Sequence, residues 1–173
     1  PQLRLVLVEE KTQTLLERLK RGELDAALLA LPVYDDQLAV RALFDDEFFL
    51  AVPPLHPLAK KKQAEQTDLS NSKLLLLEEG HCLRDQALEV CHRVGMEEEQ
   101  DFRATSLETL RQMVKAGSGI TFMPNIAIQP DETGICYVPF KKPAPYRTIG
   151  LVWRKTSARM AVIEKLLPML TPD

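Results

Sequence analysis

Short runs of hydrophobic residues alternate along the chain with segments in which hydrophobic residues recur at helical spacing. An unbroken apolar run of roughly four to eight residues is typical of a buried strand. Largely apolar runs of this length occupy residues 3–8, 25–30, 46–52, 73–77, 120–123 and 148–154. Because strands that alternate with helices form βαβ units, the pattern predicts an α/β fold whose first βαβ unit lies in residues 3–30.

The helical segments carry recognisable start and stop signals. Two of them are expected to begin with a Thr-x-x-Glu capping box and to end at a glycine. They are the helix of residues 14–20, with Thr14 and Glu17 before Gly22, and the helix that runs from Thr105 and Glu108 to Gly117. A last helix is expected over residues 161–170, where Pro168 limits its length.

The segment between Cys82 and Gly95 combines helical spacing with two cysteines. Its apolar residues recur at steps of four, three and four and line one face of a helix that Gly95 ends, namely Leu83, Ala87, Val90 and Val94. Cys82 would then stand at the helix N-terminus and Cys91 well inside the helix, roughly 13 Å away at about 1.5 Å per residue. A disulfide tolerates a Cα separation of at most about 7 Å, so a bond between them requires the helix to unwind. The pair therefore suggests a redox switch.

The two cysteines differ in their predicted surroundings. Cys82 faces the free N–H groups of the helix N-terminus, with His81 beside it, and this lowers the pKa of a thiol and favours the thiolate. Arg84 would either serve this thiolate or face solvent. A thiolate attacks peroxide to give a sulfenic acid, which Cys91 could trap as a disulfide. Two other interpretations stay open: small core cysteines, or a zinc site with His81 and His92, although the spacing matches no usual zinc pattern.

The cysteine motif lies in a longer stretch of similarity to a known family. Residues 80–87, which read Gly-His-Cys-Leu-Arg-Asp-Gln-Ala, and Cys91 beyond them resemble the regulatory domain of the OxyR family, the hydrogen peroxide sensors among the LysR-type transcriptional regulators. The resemblance continues through residues 102–111, 114–121 and 147–152 and so spans most of the chain. The cysteine motif is its specific part.

The resemblance implies roles for particular residues. Cys82 matches the peroxidatic cysteine of the family, and Cys91 matches the cysteine that resolves it. The residues implied to line the peroxide pocket, or the helix around it, are His81, Asp85, Thr12 and Arg147. His81 and Thr12 could donate hydrogen bonds to the departing hydroxide. Alternatively, His81 is a loop residue, Thr12 caps a helix, and Asp85 stabilises the helix dipole.

The resemblance also implies a two-lobed α/β architecture like that of periplasmic solute-binding proteins, with two strands that cross between the lobes. We expect lobe I at residues 1–46 and 150–173, and lobe II, with both motif cysteines, at residues 47–149. The crossing strands would be those of residues 46–52 and 148–154. The family's opening βα unit and its DNA-binding domain are expected to be absent from this chain.

Composition limits the remaining possibilities. The 173 residues, 45% of them hydrophobic and 27% charged, are typical of a globular domain. No apolar run approaches the roughly 18 residues of a membrane span, and no signal-like segment opens the chain. Three cysteines, an odd count, favour a reducing compartment, so we expect a cytoplasmic protein. We expect no cofactor and no metal, and Cys136 is expected in a buried strand without a role.

Charge and resemblance together give the expected partners. A net charge of −3 disfavours direct DNA binding, which needs a basic face, and the run Lys60–Lys62 is expected to be a solvated loop. Hydrogen peroxide is the expected reactant. The resemblance implies a homodimer or homotetramer, and promoter DNA and RNA polymerase reached only through the full-length protein. It also implies a thiol reductant such as glutaredoxin for resetting, and no membrane.

Two rival functions stay open beside a sensor that is not an enzyme. A LysR-type effector domain would bind a small metabolite between its lobes, with incidental cysteines. A thiol peroxidase would consume peroxide continuously in the presence of a reductant, whereas a sensor reacts once per chain.

Overall fold

The computed structural model describes residues 3–69, 74–78, 82–94 and 98–171, with the backbone alone at residues 66, 82, 90–94 and 98–102. The chain divides into two compact units. Unit 1 comprises Pro1–Leu43 and Gly150–Asp173, and unit 2 comprises Phe44–Ile149. The chain passes from unit 1 to unit 2 within strand β2 (Leu38–Val52) and returns within strand β7 (Tyr146–Arg154).

Unit 1 has a helix on each face of its strands. Its elements are α1 (Thr12–Arg21), β1 (Ala26–Ala30), the beginning of β2, the end of β7, and α4 (Met160–Leu166). Successive side chains of β7 point to opposite faces. Val152 belongs to the cluster with Leu19 of α1, whereas Leu151 and Trp153 pack with Ile163 of α4. Because both faces are covered here, residues 149–153 of the strand are apolar, which explains why it could be predicted from its sequence.

Helix α1 begins earlier than its predicted capping box. The residue before the helix is Lys11, which has an extended backbone and no side-chain cap, so Thr14 lies inside the first turn and the predicted box is wrong. The predicted end is confirmed. Gly22 has φ +82°, and its N–H and that of Glu23 donate to the carbonyls of Leu19 and Arg18, which closes the helix with a Schellman motif.

The first predicted strand is wrong. Residues 3–8 form no strand, and Leu5, Val6 and Leu7 are 62%, 78% and 89% exposed. An apolar run becomes a strand only when a neighbouring strand accepts and donates its backbone hydrogen bonds, and no described strand does so for this segment. Strand β1 pairs instead with β7, so residues 3–30 do not form the predicted βαβ unit.

In its described residues, unit 2 contains the remaining strands and two α-helices. They are β3 (Leu74–Leu77), α2 (Cys82–Val94), β4 (Glu98–Ala104), α3 (Leu107–Lys115), β5 (Thr121–Pro124) and β6 (Cys136–Pro139). Strands β3 and β4 pair in parallel, whereas β5 and β6 both pair antiparallel with β2. The α/β class is confirmed, but its sheets are mixed rather than wholly parallel. Cys136 lies in a strand as predicted, although it is only partly buried.

The core of unit 2 gathers around β3 and β5. All four leucines of β3 are buried, as expected for a strand covered on both faces. On β5, the ring centroid of Phe122 lies 6.5 Å from that of Phe48 and 5.7 Å from that of Phe140. This core supports α2 and α3, which both contact β3.

Two further helix ends differ in detail from the prediction. Helix α3 is capped by Ser106, whose hydroxyl accepts the N–H of Thr109 at 3.1 Å, so the predicted box at Thr105 is displaced by one residue. Its end near Gly117 is confirmed, with φ +80° at that residue. Helix α4 ends at Leu166 and continues as a 3₁₀ turn that contains Pro168, which limits the helix as predicted.

Candidate functional site

Both motif cysteines lie on α2, which runs without interruption from Cys82 to Val94. Cys82 is the first helical residue, as predicted. The nine steps to Cys91 correspond to about 13 Å along the helix axis, well beyond the roughly 7 Å that a disulfide allows between Cα atoms. This backbone is therefore that of a chain without a Cys82–Cys91 bond. His81 lies outside the described residues.

The first turn of α2 is fixed to the end of β3. Leu83 and Ala87 are buried in the core of unit 2. Arg84 is also buried, and its Nη1 donates to the carbonyl of Leu77 at 3.1 Å. The sequence suggested that Arg84 served the thiolate or faced solvent. In the structure, its hydrogen bond links the start of the helix to the end of the preceding strand, a role that neither interpretation included.

A small cavity lies beneath this turn, with room for about one water molecule. It is lined by Leu76, Leu77, Leu83, Arg84, Ala87, Leu110, Thr121 and Phe122. Nearby on α2, Gln86 has a buried Oε1 that no described residue bonds. Asp85 is exposed in the first turn, where a carboxylate interacts favourably with the helix dipole.

Arg147 is held by a buried carboxylate. Its Nε and Nη2 each lie 2.9 Å from Oδ2 of Asp46, whose side chain is fully buried. The other oxygen of Asp46 accepts the N–H of Ile126 at 3.1 Å. Asp46 thus fixes the orientation of Arg147 against the segment after β5. Sequence reasoning missed Asp46, although a charged residue at the start of an apolar strand is a usable signal.

The predicted site residues are divided between the two units. Cys82, Asp85 and Cys91 share α2, and Arg147 also lies in unit 2, on β7. Thr12 is the first residue of α1 in unit 1, where it is half-buried. The implied roles of Thr12, His81, Asp85 and Arg147 stay predictions.

A second polar cluster, which the sequence did not predict, fixes α3. Arg111 is buried, and its Nε lies 3.1 Å from Oε2 of Glu132, while its Nη2 donates to the carbonyl of Ala127 at 2.6 Å. The hydroxyl of Tyr137 donates to the same carboxylate at 2.5 Å, and Lys115 lies 2.7 Å from its other oxygen. Burial, helped by the bond to Glu132, raises the pKa of Tyr137 to about 12.

Two properties of the described residues bear on other classes of function. Among residues 3–69, 74–78, 82–94 and 98–171, no cluster of three His, Cys, Asp or Glu side chains could hold a metal ion. A zinc site that includes His81 falls outside those residues. Within the same part of the chain, no helix is long and apolar enough to span a bilayer.

Comparison with known proteins agrees with this architecture. The sequence profile of the LysR substrate binding domain matches residues 1–172. The "Hydrogen peroxide-inducible genes activator" of Dickeya chrysanthemi is 46% identical over 168 residues, which are 96% of this chain and 55% of that protein. The chain thus spans about half the length of this curated relative.

Two solved structures, described as the oxidized and the reduced form of OxyR, resemble the chain closely. The oxidized form has a TM-score of 0.86 at 46% identity, covering 97% of this chain and 80% of that one. The reduced form has a TM-score of 0.84 at 45% identity, covering 94% and 77%. These similarities confirm the expected fold class and the predicted resemblance. The chain belongs to the LysR substrate binding domain family.

Proposed function

We propose that this chain is the hydrogen peroxide-sensing domain of a transcription regulator, switched by a reversible disulfide between Cys82 and Cys91. The observation that carries the proposal is the uninterrupted helix from Cys82 to Val94, which separates two cysteines of a peroxide-sensor motif. The similarity to a relative named as a hydrogen peroxide-inducible activator supports it.

The chemistry takes two steps. The Cys82 thiolate attacks one peroxide oxygen, so that an S–O bond forms and the O–O bond breaks; the other oxygen leaves as hydroxide, and Cys82 becomes a sulfenic acid. The thiol of Cys91 then attacks the Cys82 sulfur, an S–S bond forms, and water leaves. The sulfur atoms are oxidised and the peroxide is reduced. Because Cys82 is the first residue of α2, the free N–H groups of the helix N-terminus favour its thiolate.

The second step requires α2 to unwind, since the helix keeps the two Cα atoms too far apart. Unwinding would release the Arg84 bond to Leu77 and expose Leu83 and Ala87, which are buried in the thiol form. A packed core changes between discrete arrangements rather than stretching, so the surface of unit 2 would change with it. We propose that this surface change is the signal.

The remaining predicted residues would assist the first step. His81 and Thr12 would donate hydrogen bonds to the departing hydroxide. Arg147 uses two of its donor nitrogens on Asp46 and could direct another N–H to the pocket. Asp85 would stabilise the first turn of α2 through the helix dipole.

The family resemblance supports a proposal for the cellular setting. We propose that units 1 and 2 are the two regulatory lobes, and that the regulator works in the cytoplasm as a homodimer or homotetramer. Promoter DNA and RNA polymerase would be engaged through the full-length protein, and a thiol reductant such as glutaredoxin would reset the switch.

Intact-mass analysis before and after one equivalent of peroxide tests the proposal. The unmodified chain should lose two hydrogens, Cys82→Ser should not react, and Cys91→Ser should stop at a sulfenic acid that dimedone traps. Cys136→Ser, which alters a partly buried cysteine of β6, is the matched control and should behave like the unmodified chain. A disulfide that still forms in Cys82→Ser would contradict the proposal, and sustained peroxide consumption with a reductant would favour a peroxidase.

A comparison of two threonines tests the pocket assignment. Thr12→Val should slow thiol loss under limiting peroxide, because the hydroxyl that assists the leaving group is removed. Thr14→Val, within the same helix turn, should leave the rate unchanged. Equal rates in both variants would limit Thr12 to a structural role.

A further inference from the structure

Two features of α2 weaken its packing while the chain has no disulfide. The first is the cavity beneath its first turn, with room for about one water molecule. Its lining residues are apolar apart from Arg84 and Thr121, which donate to the carbonyls of Leu77 and Leu75. A water in this cavity would find few hydrogen-bond partners. The side chains around the cavity therefore lack part of the van der Waals contact that a close-packed core provides.

The second feature is the side-chain amide of Gln86. Its Oε1 is buried, and among the described side chains it is the one buried polar atom without a hydrogen-bond partner. A buried acceptor without a partner is costly, because folding removes the hydrogen bonds that it made to water. Gln86 lies one turn after Cys82 and next to Ala87, which lines the cavity. Both costs thus fall on the first two turns of α2.

The glutamine of the neighbouring helix α3 carries no such cost. Gln112 is exposed, and its Nε2 donates to Oε1 of Glu108 at 2.7 Å. Helix α3 meets the cavity only from the opposite side, where Leu110 forms part of its wall. The unpartnered amide oxygen therefore belongs to the helix whose two cysteines must approach each other.

We propose that these two packing costs form a conformational device, which raises the free energy of the helical thiol form and so prepares α2 to unwind. This inference rests on the proposed function, because the costs are released only if disulfide formation unwinds the helix. Unwinding would return the Gln86 amide to water and would withdraw Leu83, Arg84 and Ala87 from the cavity wall. The costs therefore act on the equilibrium between the thiol and disulfide forms.

The redox potential of Gln86→Met tests the contribution of the amide. Methionine has about the length and helix propensity of glutamine but no acceptor to bury, so the thiol form should gain stability. Equilibration with glutathione should shift about tenfold toward the thiol form, a rise of about 30 mV in the potential. Gln112→Met is the matched control. It makes the same change at an exposed position of α3 and should leave the potential unchanged.

Leu110→Val tests the cavity without changing α2 itself. Leu110 is buried on α3, so the smaller side chain should enlarge the cavity and weaken the thiol form. The equilibrium should shift about threefold toward the disulfide. Val114→Ala is the matched control, because it shortens another buried side chain of α3 that does not line the cavity. It should leave the potential unchanged.

An unchanged potential in Gln86→Met or in Leu110→Val overturns the inference, and so does an equal shift in the corresponding control. Slower thiol loss by Gln86→Met under limiting peroxide also overturns it, because the amide would then act on the peroxide itself. Intact mass of the same samples reports whether the disulfide forms at all. A variant that forms the disulfide at an unchanged potential contradicts this inference and leaves the proposed function intact.

Discussion

Helices α2 and α3 both contact β3 in unit 2, yet different interactions hold them. Helix α3 has a hydroxyl cap at its start, a glycine-closed end, and a buried arginine bound to a buried carboxylate. Among the described side chains, α2 is held by Leu83, Ala87 and the partly buried Leu88, which pack into the core of unit 2, and by the bond from Arg84 to Leu77. Helix α3 is thus fixed by a cap at its start and by a buried ion pair, whereas the described first half of α2 packs apolar side chains into the core and binds a carbonyl of β3.

The largest effect is expected from breaking the α3 anchor. Arg111→Met would remove the cation beside Glu132, whose side chain is only 5% exposed. Breaking one partner of a buried ion pair typically costs about 3–5 kcal/mol, and Lys115 would offset part of that loss. Urea unfolding should show an equal decrease in the free energy of unfolding in the thiol and disulfide forms. A loss confined to one redox form would mean that α3 takes part in the switch.

The same cluster predicts a pH dependence. The pKa of Tyr137 is raised to about 12, so its neutral form is favoured in the folded state. The stability that the neutral hydroxyl contributes to the folded state is therefore fully present below its unfolded pKa of about 10. This stability is lost as pH rises from about 10 to about 12. Two pKa units correspond to about 2.7 kcal/mol, and solvent screening of this partly exposed side chain keeps the loss below that figure. Tyr137→Phe should remove this part of the pH dependence, whereas identical pH profiles of the unfolding free energy would contradict the assignment.

The anchor of α2 should influence the redox equilibrium instead. Arg84→Met leaves the carbonyl of Leu77 without this donor and weakens the helical thiol form by about 1–2 kcal/mol. Destabilising the thiol form makes the disulfide harder to reduce, so its potential should fall by about 30 mV for each 1.4 kcal/mol. Equilibration with glutathione buffers measures this shift. Arg111→Met is the matched control and should leave the potential unchanged.

The contrast between the helices also shows what the sequence could predict. The cysteine pair was predictable because both residues lie on one periodic segment, where rise per residue fixes their separation. The polar contacts that anchor the two helices could not be predicted. In the sequence, Arg84 is an ordinary polar residue of a helix, and only the fold places it next to the end of β3. Likewise, Arg111 contacts Glu132 and Tyr137 only in the tertiary structure.

The strands, too, include some that the sequence predicted and some that it did not. Buried strands such as β3 and the second half of β2 were predicted because unbroken apolar runs mark them. Residues 3–8 are also largely apolar but have no paired neighbour among the described strands, so composition alone was misleading. Strand β4 was missed for the opposite reason. It begins with Glu98, Glu99 and Gln100, yet it pairs with β3.

The smallest expected effect tests how α3 begins. Ser106 accepts the N–H of Thr109, whereas Thr105, the predicted cap, is exposed and outside the helix. Ser106→Ala should therefore lower the unfolding free energy by about 1 kcal/mol, the usual cost of losing such a cap. Thr105→Ala removes a hydroxyl one residue away and should change it by less than about 0.5 kcal/mol. If the two variants lose equal stability, the Ser106 cap does not stabilise the start of α3. The contrast between α3 and α2 then depends on Arg111 alone.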